Sequence, residues 1–445
     1  MNISNSVSYA LGVLSAAAIL GGCSNGESPS NFAPSGATQQ SATQAVSNAQ
    51  ARGSVTQYYL INLGVIGGKY SADRGINNKG WITGFSTLRG SKSAHAVLWR
   101  AGRLTDLGTL GGPNSAFGGP VKNTRGELAG ASQVSQTDPY LENFCSFSSI
   151  FDQTHLCQGF RWQNGVMTAL PTLGGNNSIA NGVNNGGQIV GAAETSTRGH
   201  RCGKPQRFDY YGMIWQPNGT TVTLPPYPGD TISLAEAISN SGDVVGYSGR
   251  CGNLDDASTA RHALLWQSGS AIDLGNLGGT VNNVPRAINN RGQIVGNSEV
   301  AGNATSHAFL WQNGVMSHLG TLPGDVFSEA NGINDKGQIV GVSCPASGTC
   351  RGFIWQNGSM TDLNLLVPPK SLYVFYGEDI NDSGQITAIA TNTTKPVFTQ
   401  RAVVLIPGKK SDVIPGSAAR PVTLPESVRV QLRQLQGIAR PFASL

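Results

Sequence analysis

The chain has 445 residues, of which only 12% are charged and 59 are glycine, with a formal net charge of +5. Charge this sparse, against the roughly 25% usual in soluble domains, with no Lys/Arg block and no basic stripe beside aromatics, excludes the electrostatic footprint of a nucleic-acid binder. The glycine content favours many short strands joined by tight turns and excludes a fold built on long helices.

The first element is an apolar run, Tyr9 to Leu20, ending at Gly21-Gly22-Cys23. A membrane-spanning helix needs about 20 apolar residues, so this shorter run reads as a cleaved export signal over 1–22. The small-residue box before Cys23 resembles a bacterial lipoprotein signal, although Met1 to Ser8 carries no basic residue. That resemblance implies lipidation of Cys23, and Ser24 after it implies the outer membrane or cell surface. Ordinary signal cleavage would leave a periplasmic or secreted product. Residues 23–53 are mostly Ser, Asn, Gln, Ala, Gly and Pro, too poor in large apolar side chains to fold, and read as a tether with a reach of roughly 30 Å.

From 54 to 408 one unit of about 50 residues recurs seven times. Its clearest copy runs Ala287-Ile288-Asn289-Asn290-Arg291-Gly292-Gln293-Ile294-Val295-Gly296, then His307-Ala308-Phe309-Leu310-Trp311-Gln312-Asn313-Gly314, then Leu319-Gly320. The copy at Val121 to Gly130 is degenerate, and the seventh copy has Leu405 in place of the tryptophan. Asn-Asn-Arg-Gly between apolar runs is a turn, and Asn313-Gly314 is a hairpin signal, so each unit carries four strands. Ala308 to Trp311 is apolar at every position, which requires a strand covered on both faces.

Four-stranded units of this period, covered on both faces, predict an all-β fold, a seven-bladed β-propeller of four-stranded blades with tryptophans wedged between blades. A surplus strand precedes the first unit, where Tyr58 to Gly68 matches Thr105 to Gly112, and the last unit stops at Pro407-Gly408 without its fourth strand. The N-terminal strand should therefore complete the last blade and close the ring. The runner-up is an open solenoid, which gives no reason for that offset. Residues 409–445 form a C-terminal tail outside the repeat.

The recurring blocks resemble the HAF-repeat family of extracellular proteins, named for a triplet present here at His307-Ala308-Phe309. The resemblance implies export and carries no particular activity.

Insertions fall between the second and third strands: Gln133 to Cys157, Glu194 to Tyr210, Gly249 to Arg261 and Cys344 to Cys350. In a propeller these loops share the face crossed by the interblade connections, and loops on a fixed scaffold are where binding surfaces arise. That face should present Tyr140, His155, Arg201, Arg207, Tyr210, Tyr211, Arg250, Asp255 and Asp256, a mixture suited to protein or glycan recognition. The same residues also read as ordinary solvated loop positions. Adjacent Asp255 and Asp256 invite calcium or acid catalysis without establishing either.

Six cysteines remain: Cys145, Cys157, Cys202, Cys251, Cys344 and Cys350. An even count in an exported chain suggests three disulfides. Proximity favours Cys145 with Cys157 and Cys344 with Cys350, leaving Cys202 with Cys251. Six cysteines allow 15 connectivities, and spacing alone leaves the choice open. Zinc is disfavoured because no pair has zinc-ribbon spacing.

His95, His262 and His307 share one repeat position that elsewhere holds Gln, Tyr or Arg, which reads as a polar strand start. No nucleophile elbow, phosphate loop or zinc-protease helix occurs, and no cofactor or metal is expected. The leading expectation is thus a non-enzymatic, lipid-anchored envelope protein binding a protein or glycan through its loop face. A hydrolase or lyase acting on glycans or peptides is the alternative, to be favoured where carboxylates or histidines from several blades converge in one pocket.

Overall fold

The computed structural model describes residues 56–408 apart from 143, 146–153, 200–201, 203–205, 252–259, 347–348, 369–371 and 394–398. The expected signal peptide, the tether with Cys23 and the C-terminal tail lie outside the described residues.

Among the described residues, twenty-eight strands form seven four-stranded antiparallel sheets arranged as a seven-bladed propeller. The first strand of the chain, β1 (Tyr58–Asn62), pairs with the last, β28 (Arg401–Pro407), in register Tyr58↔Pro407 to Asn62↔Val403. It shares that sheet with β26 (Tyr373–Ile380) and β27 (Ile386–Thr391), so the two ends of the repeat array close the ring in one blade as the offset predicted. Tyr58, 3% exposed, packs with Val340, Val403 and Leu405.

Blade five shows how the repeat folds. Its strands are β18 (Val284–Ile288), β19 (Ile294–Glu299), β20 (Ser306–Gln312) and β21 (Val315–Gly320). Ala308, Phe309 and Leu310 are all buried, as a strand covered on both faces requires. Asn313 and Gly314 close the second hairpin at φ 53° and 82°, the left-handed pair this turn demands. The last glycine of the Gln-Ile-Val-Gly block, which blade seven replaces with Ala388, has a different cause. The innermost strand bulges, with one extra residue between Pro285 and Ala287, and a Cβ at the facing Gly296 would sit 2.0 Å from the Val284 carbonyl oxygen. The same contact recurs at Gly84, Gly191, Gly246 and Gly341.

The recurring asparagine does more than turn the chain. Asn289 Oδ1 accepts the backbone N–H groups of Arg291 and Gln293, while its Nδ2 donates to the carbonyl of Asn334 in the next blade at 3.0 Å. The same interblade bond links Asn77 to Asn123, Asn123 to Asn184, Asn184 to Ser239, Asn334 to Asn381, and Asn381 back to Asn77, at 2.7–3.1 Å. Blade four has Ser239 at this position and so lacks the amide donor toward blade five.

Apolar clusters span each blade junction. Trp266 packs with Val190 and Ile214 of the preceding blade, and Trp99 packs with Ala402 and Val404 across the closure. The indole N–H groups of Trp99, Trp215 and Trp266 donate to the carbonyls of Leu63, Pro171 and Pro225 on the connections entering their own blades. These tryptophans therefore fill wedges and pin the crossings, as their recurrence in the unit implied.

Candidate functional site

All three favoured cysteine pairs are bonded: Cys145–Cys157, Cys202–Cys251 and Cys344–Cys350. They lie in the connections between second and third strands, and Cys202–Cys251 ties the loop of blade three to that of blade four. Three disulfides fit an oxidising, exported setting. Among the described residues no helix is long and apolar enough to cross a membrane.

On this face the loops of blades two and three meet around Tyr140. Two guanidinium groups approach the ring, with Arg198 Cζ 5.5 Å and Arg207 Cζ 5.6 Å from its centroid, and Phe208 meets it edge-on at 5.6 Å. Arg198 Nη2 also donates to Tyr140 Oη at 3.2 Å. Arg198 and Arg207 are exposed and Tyr140 is half-buried. Two solvent-facing cations beside an aromatic ring make a platform for a carboxylate, sulfate or phosphate group.

Buried carboxyl groups build the platform from below. Asp138 accepts the backbone N–H groups of Tyr140 and Glu142, at 2.8 and 3.0 Å. Glu142 reaches across the blade junction and its Oε1 accepts the N–H of Arg207 at 2.6 Å and of Phe208 at 3.2 Å. Behind it, Glu194 accepts from Asn177, Asn176 and Gln206. Burial raises Glu142 to about 7, opposed by the two amides it accepts and reinforced by Asp138. Burial together with the charge of Glu142 raises Glu194 to about 8, opposed by Gln206 and Asn177.

Of the residues expected on this face, Tyr140 and Arg207 come together. Tyr210 does not belong there: it is fully buried, edge-on to Phe144 at 5.6 Å beneath the Cys145–Cys157 bridge. Its strand, β12 (Phe208–Trp215), alternates faces, so Tyr210 points into the core and its neighbour Tyr211 stays half-buried on the other side. His155 opens β8 (His155–Gln163) with Nδ1 2.9 Å from Thr154 Oγ1, and Arg250 is exposed beside Cys251. Arg201, Asp255 and Asp256 lie outside the described residues. Arg198 and the supporting carboxylates were not anticipated. Their signal was the run of acids and cations in the two longest insertions, which spacing cannot pair.

A second polar constellation lines the axis. The bulged innermost strands carry Arg74, Glu236, Arg286 and Glu378, with Glu329 beside the bulge of blade six. Arg74 pairs with Glu378 at 2.8 Å, and Arg286 bridges Glu329 at 2.9 Å and Glu236 at 3.3 Å. Lys122 stands where the other units have Ile or Val, and its Nζ contacts both oxygens of Asp379 at 2.6 and 2.7 Å. Burial raises Glu378 to about 7 against the pull of Arg74, and raises Glu236 and Asp379 against Arg286 and Lys122. The axial mouth on the opposite, short-turn face is an open depression lined by Lys122, the Ile288 and Ile333 side chains and turn residues of all seven blades, among them Asn78, Thr124 and Asp382. Carboxylates from several blades do converge along the axis, but Glu236, Glu329, Glu378 and Asp379 are each held by a cation.

No family model matches the chain, and no curated protein does. Solved structures similar to it include virginiamycin B lyase from Staphylococcus aureus, with 11% identity over 79% of this chain and 99% of that one at a TM-score of 0.43. A gluconolactonase from Xanthomonas campestris shares 10% identity over 79% of this chain and 90% of that one at 0.34. A puromycin hydrolase shares 12% over 77% of this chain and 52% of that one at 0.42.

Proposed function

We propose that this protein is an exported, lipid-anchored propeller that binds an anionic protein or glycan of the envelope or extracellular space through its disulfide-bearing loop face. The reading keeps the resemblance to the HAF-repeat family, which implies export. The observation that carries it is the pair of exposed guanidinium groups on Tyr140, whose backbone supports, Asp138 and Glu142, are buried and span two blades. A rigid scaffold that holds two cations 5–6 Å from an aromatic centroid presents charge without losing side-chain freedom on binding.

The test is an array of glycans and envelope proteins probed with the mature chain, with Arg198→Ala/Arg207→Ala as comparison. Binding of anionic ligands that weakens steeply with salt and disappears in the double variant supports the reading; binding indifferent to both substitutions overturns it. Membrane fractionation of a Cys23→Ser variant checks the anchor, with release into the soluble fraction expected. The second reading, a hydrolase or lyase at the axis, is favoured by the convergence of Glu236, Glu329 and Glu378. It requires turnover that Glu378→Gln abolishes.

A further inference from the structure

On the rim of the loop face, blade five carries a pair of imidazoles that the other blades do not have. His307 is the second residue of β20 and His318 lies on β21, opposite Phe309 and therefore diagonal to His307 on the same side of the sheet. The two rings are 4.6 Å apart at their centroids and tilted by 42°, and His307 Nδ1 faces His318 Nε2 in direct contact. His307 is half-buried and His318 is exposed.

The tautomer of His307 follows from its other nitrogen. Nε2 lies 3.0 Å from the Val326 carbonyl, which can only accept, so Nε2 carries the proton. The Nδ1 lone pair is therefore the one aimed at His318. A backbone carbonyl that holds the remote N–H of an imidazole and directs its free nitrogen outward is the usual support for a metal-ligating histidine.

The equivalent pair in blade one differs in one ligand. His95 Nδ1 lies 2.9 and 3.0 Å from the two oxygens of Asp106, which occupies the place of His318 eleven residues along the chain. In blade four His262 meets Asp230 at 2.7 Å. Histidine at this position thus has a structural task satisfied by a carboxylate, and only blade five replaces that carboxylate with a second imidazole. Two imidazole nitrogens converging on one point at a solvent-facing edge match the donor preference of late first-row metals.

We propose that His307 and His318 form a surface site for a divalent late transition metal, Zn²⁺ or Cu²⁺, bound through His307 Nδ1 and His318 Nε2. Metal–nitrogen bonds of about 2.0–2.1 Å require the exposed His318 ring to swing outward slightly from its present contact. The remaining coordination positions face solvent and are open to water or to a carboxylate or imidazole of a bound partner. The ion would also staple β20 to β21 at the loop-face rim.

The experiment titrates the mature, disulfide-intact chain with Zn²⁺ by calorimetry and with Cu²⁺ by electron paramagnetic resonance. One equivalent should bind, and the copper spectrum should show two imidazole nitrogens. His318→Asp restores the His–Asp pair that blade one uses, so its fold should be retained while affinity falls by about tenfold or more and the spectrum shows one nitrogen. His307→Gln should lose the site too, and His95→Gln should keep it. If the native chain binds no tighter than His318→Asp, or all variants give the same spectrum, the pair is only an imidazole–imidazole hydrogen bond and the proposal fails.

Discussion

Glu142→Gln isolates the chemistry beneath the loop-face platform. Glu142 is 2% exposed, its Oε1 holds two amides from the next blade, and its Oε2 is buried with no hydrogen-bond partner among the described residues. Its carboxyl is raised from 4.5 to about 7 by burial. A group that holds its proton more tightly when folded contributes its full stability below the unfolded value and loses it as pH rises through the folded one. At about 1.4 kcal/mol per unit, the native chain should lose up to about 3 kcal/mol from this group between pH 4.5 and 8.5. Glutamine keeps the amide-accepting oxygen and cannot ionise, so E142Q should track the native protein at pH 4.5 and exceed its stability at pH 8.5. Urea unfolding of both proteins across that range reads the difference directly. A gap that stays constant with pH, or one that is larger in acid, would refute the assignment of a protonated buried Glu142.

Truncation of residues 55–68 removes the closing strand, and the product should aggregate or melt without cooperativity; a soluble, cooperatively melting monomer would mean the ring does not depend on it. Ser239→Asn should supply the missing amide donor between blades four and five and raise stability by up to about 1 kcal/mol, read as a melting-temperature increase. Asn381→Ala, which unbinds the Asn77 carbonyl and leaves the N–H groups of Ser383 and Gln385 without their acceptor, should cost about 1–3 kcal/mol in the same assay. The Cys202→Ser/Cys251→Ser pair opens a loop with a sequence separation of 49 and should cost about 4 kcal/mol by chain entropy. Opening Cys344–Cys350, with a separation of 6, should cost about 2 kcal/mol, and calorimetry of the two variants tests that order.

The fold was legible because its determinants are local and repeated. Asn313-Gly314 dictates a hairpin in isolation, and the mismatch between Tyr58 to Gly68 and Pro407-Gly408 forces closure without any knowledge of packing. The disulfides followed from proximity once export was read. The axial ion pairs were not legible, because Arg74 and Glu378 are 304 residues apart and the bulge that turns them inward breaks the two-residue alternation on which strand reading rests. Tyr210 failed for a related reason. Adjacent Tyr210 and Tyr211 point to opposite faces, and only the position of the Cys145–Cys157 loop decides which face is core. The asparagine was read correctly as a turn residue, but its second hydrogen bond goes to another blade, which no single unit reveals.

Departures from the repeat turn out to be more informative about chemistry than the repeat itself. The shared residues are spent on junctions: the asparagine on its neighbour's carbonyl, the tryptophan on the wedge, the glycine on the bulge. A unit that abandons one of them gives up interblade stability, and the substitution must be accommodated by a specific partner. Lys122 in an aliphatic belt is matched by buried Asp379, and its ammonium also donates to the Ile76 and Ile380 carbonyls. Trp81 stands where four other units place Gln beside the asparagine, and Arg100 covers its ring at 4.1 Å. His318 replaces the aspartate of blade one, and in its case the described protein supplies no carboxylate in compensation, only a second imidazole. The metal ion proposed for this pair would complete that pattern, which is why the metal titration bears on more than one pair of side chains.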